Sequence, residues 1–243
     1  MISVIVRTKN EQKWIGRCLT AISRQAFPDV EVIVVDNAST DATLDLIRRF
    51  QVRLVTIPDE AFTFGRSLNV GIEASKGDFI AMVSGHCIPA TDLWLYRLWR
   101  NFQLDPTVVG AYGKQEPLPD TNSLDKRDLL TVFGLERRVQ EKDYFFHNAN
   151  SMIRRSTWEQ IPFDEEIAGV EDRDWARRVL DAGHKIVYEP YAAVYHHHGI
   201  NHGGDRSRAD RVVRVIELIH SGRTEDVKRE ADLVKREAQD VRR

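Results

Sequence analysis

A chain of 243 residues that is 42% hydrophobic and 30% charged has the length and composition of one large soluble α/β domain with a well-buried core. Its formal net charge of −2 gives no electrostatic footprint for nucleic acid, so no nucleic-acid partner is expected. The two cysteines, Cys18 and Cys87, stand in no metal-ligand spacing, which argues against a disulfide scaffold and a zinc ribbon and fits a reducing cytosol. No run approaches the ~20 apolar residues of a membrane span, so membrane contact is expected to be peripheral only. The opening MISVIVRTKN lacks a basic n-region and a small-residue cleavage site and reads as a first strand, not a signal peptide.

In chain order, residues 2–6 are a β-branched run that predicts a strand, followed by a polar break from Arg7 to Glu11. Trp14, Ile15, Cys18, Leu19 and Ile22 recur at helical spacing. Residues 30–35 predict a second buried strand. Asp36-Asn37-Ala38-Ser39-Thr40-Asp41 then forms a polar loop with several N-cap candidates. Leu44, Leu46, Ile47 and Phe50 supply the apolar face of the next helix, and residues 52–57 a third strand stopped by Pro58. Residues 65–75 are expected to be helical with Leu68 and Ile72 inward, and Gly77 ends that helix. Residues 79–83 are an uncharged apolar run, the fourth strand, and it opens onto Ser84-Gly85-His86-Cys87. Strand and helix thus alternate with short connections over about 90 residues, the pattern of a parallel doubly wound sheet. Ligands bind such sheets beyond the carboxyl ends of strands. No G-x-G-x-x-G follows the first strand, which counts against a dinucleotide-binding oxidoreductase.

The second half changes character. Leu93, Leu95, Leu98 and Phe102 mark a helix, residues 108–112 a strand, and the polar, proline-bearing residues 114–128 a mobile loop. His147-Asn148-Ala149-Asn150-Ser151 precede a short strand; residues 171–182 predict a helix stopped by Gly183, and residues 185–188 a strand. His196-His197-His198-Gly199 follow, then a nearly charge-balanced helical stretch, 205–243, with an apolar stripe of Val212, Val213, Ile216 and Ile219. That stripe is expected to pack on the domain or on a second subunit.

Three constellations carry chemistry. Asp36 ends the second strand, where a carboxylate can accept a hydrogen bond from a base NH or a ribose hydroxyl, and Ser39 and Asp41 relieve it of capping. Glu171, Asp172 and Asp174 open a helix, where the helix dipole favours anions. Glu171 and Asp172 nevertheless point to different faces, so at least one is free to address a pocket as a general base. His86 and one of His196, His197 or His198 could bind a divalent cation through neutral imidazoles; on an extended chain consecutive histidines alternate sides, so at most two share a face. Trp94, Trp158 and Trp175 could stack on a sugar but are expected in the core.

SVIVRTKNEQKWIGRCL, EVIVVDNASTDAT and FGRSLNVGIEASKGDFIAMV resemble the nucleotide-sugar half of the family 2 glycosyltransferases. NANSMIRRSTWEQIPFDEEIAGVEDRDWARRVLDAGHKIVYEPYAAVYHHHG is similar to their acceptor half, and the resemblance spans roughly residues 2–200. It implies the α/β GT-A fold, a mostly parallel Rossmann-like central sheet flanked by helices. A single domain would occupy residues 1–204, nucleotide-binding over 1–90 and acceptor-binding over 91–204, with a helical extension at 205–243. The implied activity is inverting transfer of a hexosyl or deoxyhexosyl group from a nucleotide-diphosphate-sugar donor to an acceptor hydroxyl. The implied setting is surface-polysaccharide or glycoconjugate synthesis in the cytoplasm or at the inner face of the membrane. The acceptor would be a glycan, a lipid-linked or a small molecule, and the C-terminal helices a homodimer contact.

By the same resemblance Thr8, Asn10 and Asp36 hold base and ribose, and Arg66 lines that pocket. Asp172 is the base that deprotonates the acceptor, with Glu171 beside it, and Trp175 and Arg178 fall at that motif's trailing positions. One departure matters. The family's usual Asp-x-Asp is here Ser84-Gly85-His86, which places Ser84 and Gly85 at the sugar diphosphate and leaves His86, with His196 and His198, to hold a metal. The polypeptide N-acetylgalactosaminyltransferases, with Asp-x-His, are similar in part. Loss of carboxylates implies Mn²⁺ over Mg²⁺. Without a metal, Arg206, Arg208 or His198 would have to neutralise the departing diphosphate. The alternative is a catalytically degenerate nucleotide-sugar-binding protein, and a metal hydrolase built on the histidines is a third reading.

Overall fold

The β-branched run after Met1 forms β1 (Ile2–Thr8) and is buried on both faces. Val4 and Val6 pack into a cluster with Ile15, Cys18, Leu19 and Ile22 of α1 (Ile15–Ser23), while Ile5 packs on the opposite side with Leu68 and Ile72. In this computed structural model, residues 1–167 and 169–197 are described, with Asp210, Val213, Arg214, Glu217, Leu218 and Ser221 beyond them. The chain continues through β2 (Val30–Asp36), α2 (Thr43–Ile47), β3 (Arg53–Thr56), α3 (Phe64–Glu73) and β4 (Phe79–Ser84). Then follow β5 (Cys87–Pro89), α4 (Trp94–Leu104), β6 (Val108–Pro117), α5 (Ser123–Val132), β7 (Arg138–Gln140), β8 (Asn150–Arg154), α6 (Arg155–Gln160), α7 (Glu171–Asp181) and β9 (Lys185–His196).

The strands join one nine-stranded sheet in the order β3-β2-β1-β4-β8-β6-β9-β5, with β7 also on β9. β1 to β4 pair in parallel; β8 is antiparallel to both β4 and β6, and β6 is parallel to β9, so the sheet is mixed with β1–β4, β6 and β9 running one way. This is the expected α/β architecture, and Trp94 and Trp175 lie fully buried in its core, with Trp158 at its margin.

Of residues 114–128, only 118–122 form a loop. β6 runs on to Pro117 with Gln115 buried, and α5 starts after Asn122, whose side-chain oxygen accepts from the Leu124 and Asp125 N–H groups. The polar residues that suggested a loop alternate across a strand end, where Lys114 pairs with Glu116 at 3.0 Å. β9 extends to His196, eight residues past the expected strand. It passes Pro190 because the β6–β9 register shifts between Gly113 and Gln115, and an irregular step tolerates a residue without an N–H. Of the 205–243 stretch, the described Leu218 packs against Ile167 and Val170 just ahead of α7, and Val213 is exposed; the remaining stripe residues lie outside the described residues.

Candidate active site

β1 is flanked by β2 on one side and by β4 on the other, so the connections leave its carboxyl end in opposite directions and open a crevice there. A cavity of about 620 Å³ occupies this place. Its floor is the end of β1 (Arg7, Thr8, Lys9), and Asn37, Ser84 and His86 form walls. The rim is the turn from Asp59 to Phe64, tied to the floor by a Lys9–Asp59 ion pair, with the Phe62 and Phe64 rings edge-on at 5.2 Å.

The Thr8 hydroxyl is buried and bonds to no group among the described residues. Gly85 sits where a Cβ would come within 2.9 Å of that hydroxyl's oxygen, and its N–H donates to the Arg7 carbonyl at 2.8 Å. Glycine is therefore what lets the turn after β4 close over β1. Asp36 is fully buried: Oδ2 accepts from the Ser39 N–H at 3.0 Å, while Oδ1 has no donor among the described residues. A buried carboxylate oxygen with acceptor capacity left is the kind of exception that a ligand donor explains. Asn37, not Asp36, lies in the cavity wall. Asn10 adopts φ 54°, a left-handed conformation that asparagine tolerates. Its side chain accepts from the Thr40 N–H at 2.8 Å and its own N–H donates to Ser39 Oγ at 2.8 Å, which staples the turn after β1 to the turn after β2. Arg66 lies on the exposed side of α3, 3.6 Å from Glu165, away from the cavity lining.

His86 and His196 meet. β5 pairs antiparallel with β9 so that Cys87 faces His196, and this register brings His86 Nε2 to 3.1 Å from His196 Nε2. Two nitrogens each about 2.1 Å from one ion and at 90–110° to one another are about 3.0–3.4 Å apart, so the pair fits adjacent ligand positions. On its other side His86 Nδ1 lies 2.6 Å from Glu11 Oε1. Cys87 is close enough to join the cluster, but burial pushes its thiol well above the ordinary value, and a thiol that keeps its proton is a poor ligand. His197 turns instead to Trp14, with ring centroids 4.6 Å apart. His198, Arg206 and Arg208 lie outside the described residues.

At the start of α7, Glu171 is buried with Oε1 3.9 Å from Arg7 Nη1 and accepting from Asn148 Nδ2 at 3.4 Å, while Oε2 has no donor among the described residues. Burial and the neighbouring Asp172 charge push its carboxyl up to about 7, against the pull of Arg7. Asp172 is more exposed. Its Oδ2 accepts from the Asn148 N–H at 3.4 Å and Oδ1 from the Arg173 N–H at 2.8 Å. Neither carboxylate lines the cavity; Arg7 does, and so links the two centres. Its guanidinium lies 5.2 Å over the Phe64 ring, and its Nε has no hydrogen-bond partner among the described residues. Arg7, Glu11 and Asn148 were not singled out in the sequence. The one signal was that Arg7 is a charged residue ending a β-branched strand.

The mostly parallel sheet flanked by helices, with a cavity at the ends of β1 and β4, has the GT-A fold of glycosyltransferases. The model of Glycosyl transferase family 2 matches residues 3–161, and the chain belongs to that family. It is 28% identical over 197 residues to glycosyltransferase AglE of Haloferax volcanii, covering 77% of this chain and 64% of AglE. It is 26% identical over 189 residues to the O-antigen chain rhamnosyltransferase WbaN of Salmonella anatum, covering 73% and 60%. The fold matches the mannosyltransferase PcManGT of Pyrobaculum calidifontis, solved in complex with GDP-Man and Mn²⁺, at a TM-score of 0.68 and 23% identity, over 90% of this chain and 61% of that one. The chain thus spans less than two thirds of the length of each. Among the described residues no helix is long and apolar enough to cross a membrane.

Proposed function

We propose that this glycosyltransferase transfers a hexosyl or deoxyhexosyl group with inversion, from a nucleotide-diphosphate-sugar donor to an acceptor hydroxyl of a glycan or lipid-linked intermediate. Its setting would be polysaccharide or glycoconjugate synthesis at the cytoplasmic face of the membrane. The observation that carries this reading is the pairing of two centres through Arg7: a cavity with the Thr8 hydroxyl at its floor and the buried Asp36 carboxylate next to its Asn37 wall, and a carboxylate pair at the start of α7. The base and ribose would occupy the cavity against Thr8 and Asp36, with Phe62 or Phe64 against the base face. Ser84 and Gly85 would border the diphosphate. Asp172, the more exposed carboxylate, takes the proton of the acceptor hydroxyl as it attacks the anomeric carbon. Glu171, held by Asn148 and facing Arg7, fixes the start of α7 and so the direction of Asp172.

His86 and His196 are the residues that would hold a divalent ion. Bound there, an ion supplies positive charge to the departing diphosphate oxygens. Imidazole donors favour Mn²⁺ over Mg²⁺, which prefers all-oxygen ligands. The degenerate binder is the rival because Ser84 replaces a carboxylate. The Glu171-Asp172 pair at the start of α7 favours turnover, since a pure binding module has no need of a base. The deciding experiment is a screen of nucleotide sugars for nucleoside diphosphate release, with and without Mn²⁺. Release that needs both donor and an acceptor supports transfer; measurable donor binding with no release for any donor establishes the binder.

A further inference from the structure

We infer that Glu11 is a positioning residue for His86: its carboxylate accepts a hydrogen bond from Nδ1–H, holding the proton on Nδ1, and thereby presents the Nε2 lone pair towards His196. The inference rests on the divalent-ion reading given above for its consequence, but not for its geometry. Glu11 Oε1 lies 2.6 Å from His86 Nδ1, and both side chains are mostly buried, at 20% and 17% exposure. A carboxylate only accepts, so the nitrogen facing it carries the proton. In a neutral imidazole the other nitrogen is then left with its lone pair, and that nitrogen is the one 3.1 Å from His196 Nε2.

Glu11 is itself fixed on three sides. Its N–H donates to Thr43 Oγ1 at 2.7 Å, and its carbonyl accepts from the Trp14 and Ile15 N–H groups, both at 2.9 Å, as the chain turns into α1. The contact therefore joins the turns after β1 and β4 with the start of α2, which share no local sequence. A carboxylate behind a ligating imidazole raises its basicity and locks its orientation, and losing such a partner costs roughly 10–100-fold in metal affinity. The arrangement also bears on the Ser84-Gly85-His86 sequence. Where the family's usual motif places a carboxylate directly at the ion, here His86 stands in its place, and the carboxylate of Glu11 acts one imidazole removed.

The test uses the full chain labelled with ¹⁵N-histidine and stripped of metal, with His86 assigned by comparison with His86→Ala. Two-bond ¹⁵N–¹H correlation spectra at neutral pH report the tautomer, and titration with Mn²⁺ followed by calorimetry reports affinity. The expected result is an Nδ1–H tautomer at His86 in the wild type. Glu11→Gln should give a mixed population, because an amide bonds either tautomer, and Glu11→Ala should shift it to Nε2–H, with Mn²⁺ affinity about 10–100-fold weaker. An Nε2–H tautomer in the wild type, or a tautomer unchanged in both variants, overturns the assignment; should Glu11→Ala not fold, the isosteric Glu11→Gln carries the test. If the tautomer shifts as expected but the wild type binds no Mn²⁺, Glu11 still positions His86 and the ion reading is what fails.

Discussion

Asp172 is the second residue of α7, and its Oδ1 is held by the Arg173 N–H at 2.8 Å. An asparagine there keeps an oxygen for that bond, gives up the long 3.4 Å bond from the Asn148 N–H, and loses the ability to take a proton. Asp172→Asn is therefore expected to fold normally and bind nucleotide as the wild type does, since Asp172 is no part of the cavity wall. It should cut transfer by about 10² or more, the usual worth of a general base. Turnover near wild type, with kcat and nucleotide Kd measured on the same preparation, would remove Asp172 from the mechanism. Glu171 makes a different prediction, about stability. Its folded value of about 7 lies above the reference of 4.5, so between these pH values the folded protein binds more protons than the unfolded one. Stability from this group is then fully present below about 4.5 and is lost as pH rises through about 7. Glu171→Gln removes that dependence while keeping an acceptor for Asn148 and Arg7. Urea midpoints at pH 5 and pH 8 should differ less in the variant than in the wild type; equal differences would show that burial does not shift this carboxyl.

Elements buried on two faces announce themselves, and β1, β2 and β4 do so as apolar runs ended by polar turns. α1 likewise buries the residues that recur at helical spacing, Ile15, Cys18, Leu19 and Ile22. What the sequence hides is pairing across long separations. β5 is three residues ending in proline and is a strand only because β9, more than a hundred residues later, lies beside it. β7 and α6 are similarly short, with no room for a periodic pattern. In the site, the strand-end position of His86 was legible because it follows an apolar run. Its contact with Glu11 spans 75 residues and leaves no local trace. The same holds for Gly113, in the middle of β6. A Cβ there would lie 1.8 Å from the Ala192 carbonyl oxygen and 2.5 Å from Asn150 Nδ2, which itself donates to the carbonyls of Lys114 and Ala192. Neither neighbour can swing away, because one is backbone and the other is held between two strands. Gly113→Ala is expected to cost about 3 kcal/mol or more by forcing β6 and β9 apart, measured by urea unfolding. It should also weaken Mn²⁺ binding, because β9 carries His196. A variant as stable as the wild type would mean that the two strands can separate without loss.

Across the whole molecule, β1 and β4 lie inside the sheet and β2 beside its edge strand β3, while the cavity they end in is rimmed by the half-exposed turn Asp59–Ala61, which contributes no fully buried residue. Ligand binding therefore adds contacts where the protein itself supplies few. A ligand that binds only the folded state stabilises it by about 2.7 kcal/mol at a hundred times its Kd. For a chain of this size each kcal/mol raises Tm by about 2–4 °C, so a saturating nucleoside diphosphate with Mn²⁺ should raise Tm by about 5–10 °C. The increment should divide between two places in the site. The nucleotide part depends on Thr8 and Asp36 and survives in His86→Ala; the part that requires Mn²⁺ depends on His86 and His196 and disappears in that variant. Thermal unfolding of both proteins with nucleotide alone, Mn²⁺ alone and the two together separates these parts. Retention of the Mn²⁺-dependent increment in His86→Ala would place the ion elsewhere, and loss of the nucleotide increment as well would show that His86 touches the nucleotide itself.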